Sequence, residues 1–369
     1  METKGVLLFT DFHAHIWSEF SKPDTKYVND RFKHQIEVLD SMLSYARDNQ
    51  LDVLFAGDLF HKRIAVDTIV FNSVFKTFAR HQDDGNTIYL IRGNHDSYNN
   101  RLESPTSLSP LSVLPNIQVV DKPAIFTKDN VTFYLMPYGE DTDIMISLFN
   151  EWATKVKIQT GTTILAGHVG INGAKQGATT HRLASIFSAN DLHPEDYNLT
   201  YLGHYHERQE IYNSKESYVY ARDDNDVPDK SDDLHQALYG GSTIPVSFSD
   251  ENQIKGFDTY DYTTHERVFH PVDSPRFITL HDWTDDLKKE YAKDYVRLQL
   301  SEDKAKKVVT AEKDNSNIRV EAQADYKINK RIDVSATDSP VKVTKTYTEK
   351  MYPDLTQLAG SVIKEVLND

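Results

Sequence analysis

Thr87-Ile88-Tyr89-Leu90-Ile91-Arg92-Gly93-Asn94-His95-Asp96 is the stretch on which the reading of the fold turns. Its first half is β-branched and aromatic and suits a strand. Its second half is a glycine followed by side chains that bind metals or carry protons. A strand that runs straight into such a cluster marks an α/β sheet whose working loops sit at strand ends. Further strands are expected over residues 5–10, 51–56, 131–136, 162–166 and 199–202, with helix-period stretches at 32–48 and 67–80. The helix at 67–80 is apolar on more than one face, through Ile69, Val70, Phe71, Val74, Phe75 and Phe78. A surface helix usually shows a single apolar stripe, so this one is either deeply buried or part of a subunit interface.

Five short motifs occur in order, four of them directly after expected strands: Asp11-Phe12-His13, Gly57-Asp58, Gly93-Asn94-His95-Asp96, Gly167-His168 and Gly203-His204-Tyr205-His206. Alone, a Gly-His or an Asp-x-His is usually an ordinary loop. Gly-Asn-His-Asp is more specific, since a stated four-residue string arises by chance in about one chain of this size in several hundred.

The chemistry behind the set is that of two cations. Divalent ions roughly 3.5–4 Å apart need one bridging oxygen ligand, plus terminal nitrogen and oxygen ligands that leave room for water and phosphate. Asp58, at a strand end behind a glycine that permits a tight turn, suits the bridge. Asp11 and His13, two apart, emerge on one side of a strand and can grip one ion together, and His204 and His206 repeat that spacing. Asn94 offers a neutral oxygen and His168 another imidazole. This mixed set favours Mn²⁺, with Fe²⁺ or Mg²⁺ as further candidates, over Ca²⁺ or a thiolate-type zinc site. His95 need not be a ligand: beside a phosphate it could protonate the leaving oxygen, with Asp96 holding its other ring nitrogen.

In order and spacing the five motifs resemble the calcineurin-like metallophosphoesterase pattern, over about the first 206 residues. That resemblance implies an α/β fold in four layers, an αββα sandwich, with a smaller C-terminal α+β capping domain. It implies Asp11, His13, Asp58 and His206 on one metal ion, Asp58, Asn94, His168 and His204 on the other, and His95 as the acid.

Three details resemble the SbcD nucleases within that family. Gly57-Asp58-Leu59-Phe60-His61 stands where protein phosphatases carry Asp-Arg-Gly after the bridging aspartate, and Asp96 stands where they carry glutamate. The run Gly241-Ser242-Thr243-Ile244-Pro245-Val246-Ser247-Phe248, followed by Lys255-Gly256-Phe257, is similar to a signature that follows the metal domain. The resemblance implies that His61 helps to position substrate. It also implies a nuclease domain at 1–275, a capping domain at 276–350 that touches DNA, and a C-terminal helix at 351–369 that docks an SbcC-type ABC ATPase. The helix at 67–80, with residues 108–114, is then the interface of a homodimer. Ala14 and His15 depart from the leucine and glycine usual after the first motif, and His15 is read as a neighbour of the ligands or a surface residue. The chain ends soon after one short helix, as in compact, phage-type members. No Gly-x-x-x-x-Gly-Lys-Ser/Thr occurs, so any ATP dependence belongs to the partner.

The remaining composition fits this reading. There is no cysteine among the 369 residues, so a metal must sit on nitrogen and oxygen, and 15 histidines supply the former. The net charge of −15 argues against a surface that coats nucleic acid nonspecifically. Residues 288–350, however, carry 15 Lys/Arg against 11 Asp/Glu, a local +4 that suggests a separate C-terminal module. Strands are expected there at 295–300 and 318–324. A last helix is expected at 354–367, with Leu355, Leu358, Val362 and Val366 on one face. The six aspartates between 223 and 233 lack the glycine and terminal glutamate of a calcium loop and read as a solvated insertion. The apolar run at 6–9 is too short for a signal sequence or a membrane span, so a cytoplasmic, membrane-free protein is expected. The leading expectation is a Mn²⁺-dependent DNA nuclease of recombination and repair, exonucleolytic on duplexes and endonucleolytic on single strands or hairpins. The alternative is a phosphodiesterase or phosphatase of small nucleotides or phosphoproteins.

Overall fold

A computed structural model describes residues 3–175, 187–214, 217–218, 235–323, 332–335 and 338–367. The aspartate-rich insertion lies outside the described residues. The main strands of the first part are, in chain order, β1 (Gly5–Phe9), β2 (Leu51–Phe55), β3 (Ile88–Ile91), β4 (Ile117–Val120), β5 (Ala124–Lys128) and β6 (Val131–Met136). They continue with β7 (Thr162–His168), β8 (Leu199–Gly203), β9 (Gln209–Asn213), β10 (Gln236–Tyr239), β11 (Gly256–Asp261) and β12 (Arg267–Pro271). Three long helices accompany them: α1 (Asp30–Asp48), α2 (Thr68–Arg80) and α3 (Thr142–Val156). The side chains of Asn29 and Asp67 start α1 and α2 by accepting from the Phe32 and Ile69 amides.

One sheet has the order β12-β11-β1-β2-β3-β4, with β1 to β4 parallel. The other has the order β9-β10-β8-β7-β6-β5, with the two-residue strand Ser217–Tyr218 at its edge and β6, β7, β8 and β10 parallel. Side chains alternate across a strand, and here each parity has its own core. Val6, Leu8, Leu54 and Ile91 meet Phe133, Leu135, Ile164 and Tyr201 between the sheets. Leu7, Phe9, Val53 and Leu90 face outward onto Phe32, Ile36 and Leu39 of α1 and Val70, Val74 and Phe78 of α2. On the far side, Tyr134, Met136 and Leu165 cover Met145, Phe149 and Trp152 of α3. The layers therefore run helix, sheet, sheet, helix, the four-layer α/β sandwich expected. The two-sided burial explains why the parallel strands are mostly apolar along their whole length, with few polar residues among them. On α2, Phe71 and Phe75 are partly covered and Ile69 is 44% exposed, so its second apolar edge stays at the surface.

The chain divides into two compact units, Met1–Glu321 and Ala322–Asp369. The first also holds β13 (Phe277–Leu280), α4 (Asp285–Glu290), β14 (Tyr295–Ser301), α5 (Glu302–Ala311) and most of β15 (Ile318–Gln323). Phe277 and Tyr295 of this three-stranded sheet share an aromatic cluster with Phe20 and Phe248, which joins the sheet to the sandwich. The second unit holds α6 (Pro340–Met351) and α7 (Thr356–Val366). No helix among the described residues is long and apolar enough to cross a membrane.

Candidate metal centre

Ligand sites in α/β sheets gather beyond the carboxyl ends of parallel strands, and the five motifs occupy that edge. Asp11 and His13 follow β1, Asp58 follows β2, Asn94 follows β3, His168 closes β7, and His204 and His206 follow β8. The first two loops prolong the parallel ladder: the Asp11, His13 and Ala14 amides donate to the Gly57, Asp58 and Leu59 carbonyls at 2.9, 2.9 and 2.8 Å. Along this edge the backbone takes unusual conformations. Asp11 and His13 have φ of 49°, Asp58 of 65° and His204 of 102°, left-handed values that cost a non-glycine residue about 1–3 kcal/mol each. The glycine of Gly93-Asn94-His95-Asp96 has a steric reason, since a Cβ on Gly93 would collide with the backbone and carboxylate of Asp58.

The seven expected ligands come together. His13 Nε2 and His206 Nε2 face each other at 3.0 Å, with Asp11 Oδ1 3.9 and 3.8 Å from them. Asp58 Oδ2 lies 3.7 Å from His13 Nε2 and 3.4 Å from His168 Nε2. Asn94 Oδ1 is 2.9 Å from His168 Nε2 and 3.0 Å from His204 Nδ1. Asp58 is thus common to both halves of the cluster, each built from side chains of different strands.

The calcineurin-like phosphoesterase family matches residues 5–208, more than half of the chain. This chain belongs to the calcineurin-like phosphoesterase family. Exonuclease subunit 1 of Enterobacteria phage T4 is 23% identical over 312 residues, covering 84% of this chain and 79% of that one. A protein of Invertebrate iridescent virus 3 is 27% identical over 197 residues, about half of either chain. Among solved structures, a dimetal phosphatase from Danio rerio aligns with TM-score 0.43 at 10% identity, over 73% of this chain and 96% of that one.

For a phosphoesterase the donor set fits a pair of divalent cations. His13 Nε2 and His206 Nε2, 3.0 Å apart and flanked by the Asp11 carboxylate, are nitrogen and oxygen donors of the kind that borderline divalent cations take. Burial lowers His13 well below the usual histidine range, and His206 adds to the effect. His204 is driven down to about 3 by burial and by His168, so its lone pair stays available. Burial raises the Asp11 carboxyl, whereas at Asp58 burial is outweighed by His168 and His13, which hold it far below the ordinary carboxylate range. Burial likewise opposes a charge on His168, but Asp58 and Asp11 lift it to about 9. Its Nδ1 bonds the Ala56 carbonyl at 2.7 Å and so aims Nε2 at Asp58 and Asn94.

The two expected catalytic histidines sit on the cluster's flank. The His95 ring stacks on His61 at 5.5 Å and 21° and meets the His13 ring edge-on at 4.8 Å. Its Nδ1 is bonded to the His61 backbone carbonyl and its amide donates to Asp58 Oδ1 at 2.7 Å. Burial, with His95 and His15 nearby, brings His61 down to about 4. The expectation that Asp96 holds the His95 ring is corrected. Both Asp96 oxygens are spent on backbone amides, Oδ2 on Asp58 (2.8 Å), Leu59 (3.2 Å) and Gly93 (3.1 Å) and Oδ1 on Phe60 (3.1 Å). Asp96 therefore shapes the bridge loop and leaves the orienting of His95 to a carbonyl.

Two functional residues were missed in the sequence. Asp250 Oδ1 lies 3.6 Å from His206 Nδ1, and Asp250 also accepts the Val246 and Ser247 amides at 2.8 and 3.2 Å. The Lys255 ammonium donates to Asp250 Oδ1 at 2.9 Å and to the His206 carbonyl at 2.7 Å. Val246, Ser247 and Lys255 of the signature thus hold Asp250 against His206. The one available signal was the place of Lys255 in the quoted signature, but the carbonyl it serves lies 49 residues away.

Proposed function

We propose that this phosphoesterase is a Mn²⁺-dependent DNA nuclease subunit, exonucleolytic on duplexes and endonucleolytic on single strands or hairpins, in recombination and repair. Asp11, His13, Asp58 and His206 would hold one ion, and Asp58, Asn94, His168 and His204 the other. The observation that carries the reading is the Asp58 carboxylate, within 3.4–3.7 Å of histidines from both halves of the cluster. Bound cations would supply positive charge for the phosphate and a water of lowered pKa. His95, its Nδ1 fixed on the His61 carbonyl, presents its other nitrogen to protonate the leaving oxygen. His61 positions the substrate.

DNA as substrate is supported by the relative named exonuclease subunit 1, which spans most of both chains, and by the basic excess at 288–350. The three-stranded sheet within 276–350 would be the DNA-touching cap of a nuclease domain at 1–275. The exposed apolar residues Leu355, Leu358, Val362 and Val366 would dock an SbcC-type ABC ATPase. The outer edge of α2 with residues 108–114 would form a homodimer in the cytoplasm. The test is digestion of end-labelled duplex, single-stranded and hairpin DNA with Mn²⁺, beside bis-p-nitrophenyl phosphate, with and without a candidate ATPase. Cleavage of DNA that is lost in His95→Ala is the expected result. Hydrolysis of the small ester with every DNA left intact would replace this reading with a small-nucleotide phosphodiesterase.

A further inference from the structure

Beyond the metal ligands, the rings at the site continue outward in a chain. His61 lies 5.5 Å from His13, and the indole of Trp17 lies 4.4 Å from His61. His15 closes a triangle, 5.1 Å from His61 and 4.8 Å, edge-on, from Trp17. Imidazoles next to a metal have obvious work, but an indole has no lone pair for a cation and cannot relay protons. Trp17 is half-buried, as are His15 and His61, so solvent still reaches this group of rings. Its Nε1 is buried and makes no hydrogen bond. An amphipathic ring in an interior usually finds a partner for that nitrogen, so core filling alone accounts poorly for this one.

The ring is held firmly nonetheless. The Trp17 carbonyl accepts from Asn29 Nδ2 at 2.8 Å, and the His15 amide donates to Gln35 Oε1 at 3.0 Å. The Arg31 guanidinium sits 5.0 Å from the indole. Arg31 is itself pinned by the Val246 carbonyl at 2.6 Å, the Glu19 carbonyl at 3.2 Å and the rings of Phe277 and Tyr295. A rigid, partly exposed aromatic surface two ring contacts from a phosphate-cleaving centre has the properties of a base-stacking platform, because every nucleobase has a π-face.

We propose that Trp17, supported by His15 and His61, stacks the nucleobase adjoining the scissile phosphate, so that the enzyme requires an unpaired base at that linkage. This rests on the nucleic-acid reading above and narrows its substrate to nucleotides that are unstacked, frayed or single-stranded when cut. Trp17 is then a specificity-determining residue.

The test uses the full chain with Mn²⁺ and single-stranded oligonucleotides cut at one defined linkage, with either an intact nucleotide or an abasic residue beside it. The ratio of kcat/KM for intact over abasic substrate is expected to be roughly tenfold or more in the wild type. It should fall toward one in Trp17→Ala and be largely kept in Trp17→Phe. A second readout does not need cleavage: binding of a single-stranded oligonucleotide should quench a part of the tryptophan fluorescence that is missing in Trp17→Phe. Equal ratios in wild type and Trp17→Ala, or quenching identical in wild type and Trp17→Phe, would overturn the platform. Absence of DNA cleavage by the wild type, with Trp17-dependent quenching intact, would instead count against the nuclease reading.

Discussion

At the strand ends, Asp11, His13, Asp58 and His168 are almost completely buried, and hydrogen bonds hold the loops that carry them. On α7 and the turn before it the opposite holds: Leu355, Leu358, Val362 and Val366, the apolar residues spaced for one helical face, stand between 50% and 64% exposed. Burying polar groups is costly unless each finds a partner. The candidate metal centre meets that requirement inside the chain through Asp96, Ala56, Asp250 and Lys255. The α7 face carries the reverse debt, apolar surface left in water, and nothing described within its own unit covers it. One region buries polar groups that are satisfied by their neighbours; the other leaves an apolar face in water.

The largest effect expected from breaking this contrast is at the bridge. Asp58→Ala should lower Mn²⁺-dependent phosphodiester hydrolysis by about 10³-fold or more, since several kcal/mol of charge stabilisation depend on the ions it holds. Steady-state rates on bis-p-nitrophenyl phosphate would show it, and near-wild-type turnover would mean that the cluster is not the catalytic centre.

A smaller loss is expected one layer out. Lys255→Met leaves Asp250 without its counter-ion and His206 without its brace, and should weaken apparent Mn²⁺ affinity by about 10–100-fold. Saturating metal should restore most of the rate, so a defect unchanged by metal concentration would assign Lys255 a purely structural role.

The smallest effect belongs to the other region. Leu358→Asp should change stability to urea by no more than about 0.5 kcal/mol and leave hydrolysis of small esters intact. A marked loss of stability would show that α7 is packed within the folded chain and that the contrast is false.

Much of the site was legible in the sequence because its chemistry is local. Asp11 and His13, or His204 and His206, sit together on one strand end, and the strands that carry them are marked by apolar runs. The helix Thr142–Val156 shows how pattern alone can also be overlooked, for Met145, Phe149, Trp152 and Val156 are spaced for one buried face. What could not be read was long-range. Asp96 lies beside His95 in the chain yet serves the amides of residues 58–60, and Lys255 acts on the carbonyl of His206. The three-stranded sheet was foreseen as strands at 295–300 and 318–324, but its attachment to the sandwich depends on Phe20, far away in sequence.

The central claim is that Asp58 joins two ions. Electron paramagnetic resonance of the protein titrated with Mn²⁺ tests it most directly. Two bound ions per chain with an exchange-coupled signal, reduced to an uncoupled six-line spectrum in Asp58→Ala, is the predicted result; a wild-type spectrum of isolated Mn²⁺ at full occupancy would contradict it.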